Sequence, residues 1–117
     1  MSAVMTEQGL GRNILIVDDE PLQRDSLRQM IELSGYQVET ADSGEVAIGM
    51  LQNYCFDLIL LDLNMPGMGG FGVIDYVIEN QVPSKVLVVS GDASFETARE
   101  ALGKGAYDFV KKPYAPD

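Results

Sequence analysis

Between Leu58 and Leu63 every residue except Asp62 is aliphatic, and Pro66 and Gly67 follow almost at once. A strand with one wet face alternates polar and apolar residues, whereas a strand covered on both faces does not. The run therefore predicts a central strand of a parallel sheet. Proline cannot donate to a strand ladder and glycine permits backbone angles that other residues avoid, so the strand ends in a loop. In open α/β sheets, ligands bind beyond the carboxyl ends of the strands. Asp62 marks the place where chemistry would sit.

Two other runs share this character. Asn13-Ile14-Leu15-Ile16-Val17 reads as a buried strand ending on Asp18-Asp19-Glu20, and Lys85-Val86-Leu87-Val88-Val89-Ser90 as one ending on a hydroxyl. Pro21 suits the first position of a helix, where a missing N–H costs nothing. Leu22, Leu27, Met30, Ile31 and Leu33 give that helix its apolar face, and Gly35 closes it. Tyr36 to Ala41 alternates and reads as a short edge strand. Ser43 is placed to cap a helix whose apolar face is Val46, Ala47, Met50 and Leu51.

After the central strand, Met65 to Gly72 holds five glycines or prolines and is expected to be loop, with a helix over Val73 to Ile78. Another helix is predicted from about Phe95 to Lys104, closed by Gly105. Ala106 to Val110 is the last strand, leading into Lys111-Lys112-Pro113-Tyr114. Strands alternating with helices predict a doubly wound parallel α/β sheet. The common small, flavodoxin-like version has strand order 2-1-3-4-5. That order gathers Asp18, Asp19, Asp62, Ser90 and Lys112 at one sheet edge.

Composition narrows what such an edge could serve. A chain of 117 residues, 46% of them hydrophobic, is one ordinary domain, with Met1 to Arg12 reading as a flexible leader. Eighteen acidic residues against eight basic ones, a net charge of −10, repel phosphate backbones and anionic lipid. Direct binding of nucleic acid or membrane is not expected. With no apolar run of membrane-spanning length, a cytoplasmic location is expected. Cys55 stands alone and, beside Phe56, is expected to pack. The absence of histidine excludes a Ser-His-Asp triad, a His-ligated zinc and a phosphohistidine donor.

Three carboxylates at close quarters stay ionised only when a cation compensates them. An oxygen-only ligand set points to a hard ion such as Mg²⁺. Asp62 could then serve as both ligand and nucleophile, its attack on phosphorus giving an acyl phosphate. Lys112 and the metal would neutralise the phosphoryl oxygens, and Ser90 would hydrogen-bond one of them.

The stretches Ile14 to Pro21, Leu60 to Gly70, Val88 to Gly91 and Lys111 to Tyr114 together resemble the receiver domain of two-component response regulators. The likeness runs from about Asn13 to Tyr114. It implies that Asp62 accepts phosphate from a histidine of a sensor kinase or phosphotransfer protein. It also implies that Asp18, Asp19 and Asp62 hold Mg²⁺ with the backbone carbonyl of Asn64. Ser90 and Phe109 would form the switch, and Lys112 would serve catalysis. Asn64 and Asp92 fall where the family tunes phosphate loss, and small Gly91 should leave the phosphoryl group accessible.

The family also carries a fifth helix after its last strand, and this sequence reaches Asp117 where that helix would begin. Residues 13–117 are thus expected to be a receiver domain truncated before its fifth helix. Its uncovered sheet face would be met by self-association, partial unfolding or capture of a neighbouring segment, or else covered by the leader Val4 to Leu10 folding back. The output domain or downstream protein would lie outside this sequence. Two rivals fit less well. A phosphohydrolase of the haloacid-dehalogenase type wants an acid where Asn64 stands, and a nucleotide- or flavin-binding module wants glycine or hydroxyl residues where Asp18-Asp19-Glu20-Pro21 stands.

Overall fold

The computed structural model describes residues 12–91 and 94–112. Its strands are β1 (Asn13–Val17), β2 (Gln37–Ala41), β3 (Leu58–Leu61), β4 (Lys85–Ser90) and β5 (Asp108–Lys111). Its helices are α1 (Pro21–Leu33), α2 (Gly44–Leu51), α3 (Gly69–Glu79) and α4 (Phe95–Lys104). All strand pairs are parallel, and the order β2-β1-β3-β4-β5 is the expected one. The most apolar strands, β1, β3 and β4, occupy the middle, where both faces must be covered.

Because side chains alternate along a strand, the central run divides between two layers. Leu15, Val17, Ile59, Leu61, Val86 and Val88 face a large core closed by Ala47 and Leu51 of α2, Val73, Ile74 and Val77 of α3, and Ala101 of α4. Ile14, Ile16 and Leu60 face the other way, against Leu27 and Ile31 of α1. Among the described residues α1 is the one helix on this second layer. An open cleft of about 390 Å³ lies beside it, lined by Arg12, Ile14, Ile31, Tyr36, Asp57 and Leu58.

Several sequence expectations require correction. The apolar face expected for α1 is too broad: Leu22, Met30 and Leu33 are 76%, 50% and 89% exposed, and no residue of the helix is fully buried. Leu27 and Ile31, one turn apart, make the contact with the sheet, and the other three project away from it. On α2, Val46 is likewise exposed while Ala47 and Leu51 are buried. Cys55 is exposed rather than packed, because Phe56 takes the inward position in the approach to β3.

Helix α3 begins at Gly69, three residues before the end of the expected loop. Gly67 and Gly69 use their positive φ angles, 76° and 72°, to make the turn. Gly70 and Gly72 serve close approach instead. A Cβ on Gly70 would stand 2.6 Å from the Asp62 carbonyl oxygen, and one on Gly72 would stand 2.9 Å from Cγ of Met68.

Other features agree with the sequence. Pro21 opens α1, the Ser43 hydroxyl accepts from the Val46 N–H at 3.1 Å, and Gly105 closes α4 with a φ of 121°. Residues 1–11 of the expected leader, together with Asp92, Pro113 and Tyr114, lie outside the described residues. No helix among the described residues is long and apolar enough to cross a membrane.

Candidate functional site

Each polar group at the sheet edge is fixed by a main-chain bond from just past the end of its strand. The Asp18 N–H donates to Ala41 O at 3.1 Å, Asp62 N–H to Val17 O at 2.9 Å, and Lys112 N–H to Ser90 O at 2.8 Å. The parallel ladder thus extends into the site, and the side chains inherit the rigidity of the sheet. Asp18, Asp62 and Ser90 are the buried polar residues of the described chain. Buried polar groups must find partners or cost several kcal/mol, of order 2–7 for an amide or hydroxyl.

Here they do find partners. Asp18 Oδ1 accepts from the Glu20 N–H at 2.9 Å, and Asp62 Oδ1 from the Asn64 N–H at 3.1 Å. Lys112 Nζ lies between the two remaining oxygens, 3.0 Å from Asp18 Oδ2 and 3.2 Å from Asp62 Oδ2. The Asn64 side-chain amide donates to Ser90 Oγ at 3.4 Å. Phe109 pairs with Val88, two residues before the Ser90–Lys111 pair, and its ring packs half-buried against the larger core.

Electrostatics follow from that burial. Desolvation pushes the Asp62 carboxyl above its ordinary value, and the nearby Asp18 charge adds to the rise; the Asn64 N–H and Lys112 oppose it without cancelling it. Burial acts to lower Lys112, but its bond to Asp18 and the charges of Asp62 and Asp18 outweigh this and raise it. Lys112 is therefore a fixed cation among acids.

Carboxylate oxygens of Asp18, Asp19 and Asp62 lie within 4.8 Å of one another, with Asp19 exposed at the rim. One lysine leaves three carboxylates under-compensated, and every donor is a hard oxygen. This cluster fits Mg²⁺ or a similar dication and offers no soft ligand for zinc or copper.

Of the residues singled out from the sequence, Asp18, Asp62, Ser90 and Lys112 converge in the interior of the edge. Asp19 and Asn64 form its outer lip, and Phe109 stands one layer behind. Sequence reasoning missed three contributors. Gln23 Oε1 accepts from Lys112 Nζ at 2.6 Å, and Arg24 Nη1 donates to the Asp18 carbonyl at 2.9 Å. Both sit in the first turn of the helix that follows the Asp18-Asp19 strand end, and that adjacency was the available signal. Gly70, jammed against the Asp62 backbone, carried none.

Comparison with known proteins agrees with this geometry. The sequence matches the family described as "Response regulator receiver domain" over residues 14–117. It is 35% identical over 104 residues to the Cell cycle response regulator CtrA of Brucella ovis, covering 89% of this chain and 45% of that protein. The chain thus spans under half the length of that curated relative. Among solved structures, Vibrio cholerae chemotaxis protein CheY4 superposes with a TM-score of 0.85 at 31% identity, covering 91% of this chain and 90% of that one. Thermotoga maritima response regulator TrrA, solved in complex with Mg²⁺ and BeF, gives 0.80 at 28% identity, with 88% of each chain covered.

Proposed function

The chain belongs to the response regulator receiver family, and on that premise we propose that Asp62 is the phosphoacceptor of a two-component signalling switch. The observation that carries this reading is the buried Asp62 carboxylate at the end of β3. One of its oxygens is held by the Asn64 N–H, and the other is shared with Lys112 beside an acidic cluster.

The donor is a phosphohistidine of a sensor kinase or phosphotransfer protein. An Asp62 oxygen attacks phosphorus, a P–O bond forms as the P–N bond breaks, and the electron pair leaves with the imidazole nitrogen. Lys112 moves its proton contact from Asp62 Oδ2 to a phosphoryl oxygen, so charge transferred to phosphorus meets a cation already in place. Asp18, Asp19, Asp62 and the Asn64 carbonyl would hold Mg²⁺, which when bound would supply further positive charge against those oxygens.

Ser90 Oγ then turns to a phosphoryl oxygen, and Phe109 follows into the space it leaves. This shifts a two-state equilibrium that the output domain or downstream protein reads. Water attacking the acyl phosphate returns the domain to its resting state, so its catalysis is confined to its own phosphorylation and dephosphorylation. We place this exchange in the cytoplasm.

The test uses Mg²⁺ with acetyl phosphate, and with beryllofluoride as a phosphoryl mimic. Wild type should gain acid-labile, base-labile phosphate and give up both label and beryllofluoride binding on Asp62→Asn. Label retained at wild-type level in Asp62→Asn would refute the assignment.

A further inference from the structure

We propose that Gln23 is a positioning residue for Lys112, an inference that rests on the phosphoacceptor reading and extends it. A lysine ammonium has three N–H donors. Lys112 places all three: on Asp18 Oδ2 at 3.0 Å, on Asp62 Oδ2 at 3.2 Å and on Gln23 Oε1 at 2.6 Å. The shortest of these contacts comes from outside the acidic cluster, from the first turn of α1.

The three acceptors have different fates. Asp62 Oδ2 belongs to the carboxylate that attacks phosphorus, so its hold on Lys112 passes to the phosphoryl oxygens. Asp18 belongs to the oxygen cluster that fits a dication, and a cation bound there competes with Lys112 for the same carboxylate. Gln23 is engaged by neither event. It is neutral, so it holds the ammonium without adding to the negative charge that the phosphoryl group must approach. Lysine carries a point charge on a flexible four-carbon stem, and without an anchor it is free to sample solvent. Gln23 thus keeps Lys112 over Asp62 while the carboxylates change partners.

The residue is exposed and lies on a helix with no fully buried side chain, so substitution there leaves the cores intact. Gln23→Met keeps the length and removes the acceptor. In ¹⁵N-labelled, metal-free protein at low temperature, the Lys112 ammonium should be protected from solvent exchange in wild type and lose that protection in Gln23→Met. The beryllofluoride concentration needed for half-saturation should rise about tenfold, the scale of one hydrogen bond to a charged group. In a Lys112→Met background, Gln23→Met should change beryllofluoride binding no further, because a residue acting through Lys112 has nothing left to act on.

An unchanged ammonium signal in Gln23→Met overturns the proposal, as does a full further loss in the Lys112→Met background. If wild type takes up no beryllofluoride while Gln23→Met still loses ammonium protection, the phosphoacceptor reading fails and the Gln23–Lys112 anchor stands.

Discussion

Asp62 is a carboxylate that the folded chain holds at a cost. Its side chain is almost wholly out of water, and burial raises its pKa above the usual carboxylate value despite Lys112 and the Asn64 N–H. For a raised folded-state pKa the sign is fixed: the contribution to stability is complete below the unfolded value, about 3.9 for aspartate, and is lost as pH climbs through the folded value. At neutral pH and without metal, the ionised group opposes folding. Asp62→Asn, which leaves Lys112 its contacts with Asp18 and Gln23, should therefore melt a few degrees above wild type in EDTA at pH 7. That advantage should shrink toward pH 4, and added Mg²⁺ should narrow it by stabilising wild type through mass action. A lower melting temperature for the variant at every pH would count against the electrostatic reading. Gly70→Ala tests the same residue from behind, since its Cβ would press on the Asp62 carbonyl at 2.6 Å and the Leu63 Cα at 2.7 Å. Overpacking of that kind costs about 1–3 kcal/mol, and urea unfolding should report it together with weakened Mg²⁺ binding.

At the scale of the element, strands were more legible than helices, for a physical reason. A strand buried on both faces writes its burial into every residue, so β1 and β4 have the bounds that the sequence predicted. A helix writes its burial into one stripe. The spacing of Leu22, Leu27, Met30, Ile31 and Leu33 matched a helix but could not tell which of them would meet the sheet. The start of α3 was hidden because Gly69, Gly70 and Gly72 look like loop, although all three lie in the helix, Gly70 and Gly72 for close approach. Five residues of the site, Asp18, Asp19, Asp62, Ser90 and Lys112, were legible because the strand order alone brings them together, whereas Gln23 depended on a helical rotation that spacing did not fix. Caps differ between helices in a measurable way. The Ser43 hydroxyl caps α2, while α1 has no side-chain cap at Glu20 and no acid in its first turn. Ser43→Ala should cost about 1 kcal/mol in urea unfolding. Native-state hydrogen exchange should find the α1 amides opening before those of α3, which buries Val73, Ile74 and Val77.

For the whole molecule, the two sheet faces are unequal, and neighbouring residues on one strand can measure by how much. Ile59 is fully buried in the layer closed by α2, α3 and α4, whereas Leu58 is half-buried on the layer where α1 packs. Ile59→Ala should cost about 2–5 kcal/mol, since neighbours held on all sides cannot collapse into the space it leaves. Leu58→Ala removes a similar number of methyl groups from a surface that water already reaches, and should cost well under half as much. Equal losses in urea unfolding would show that the second face is as closed as the first. The same asymmetry carries the proposal of self-association, because Leu58, Leu87 and Val110 leave apolar surface on the α1 side of β3, β4 and β5. Burial of such surface favours association by roughly 25 cal/mol per Å² before binding entropy is subtracted, whereas a net charge of −10 on each copy opposes it. Salt screens the second effect far more than the first. Sedimentation velocity should therefore show a species that grows with protein concentration and grows further between low and high salt. Leu87→Lys, placing a charge in the middle of that face, should return it to monomer at both. A sedimentation coefficient independent of concentration and salt would mean that α1 and its cleft leave too little apolar area to hold a second copy.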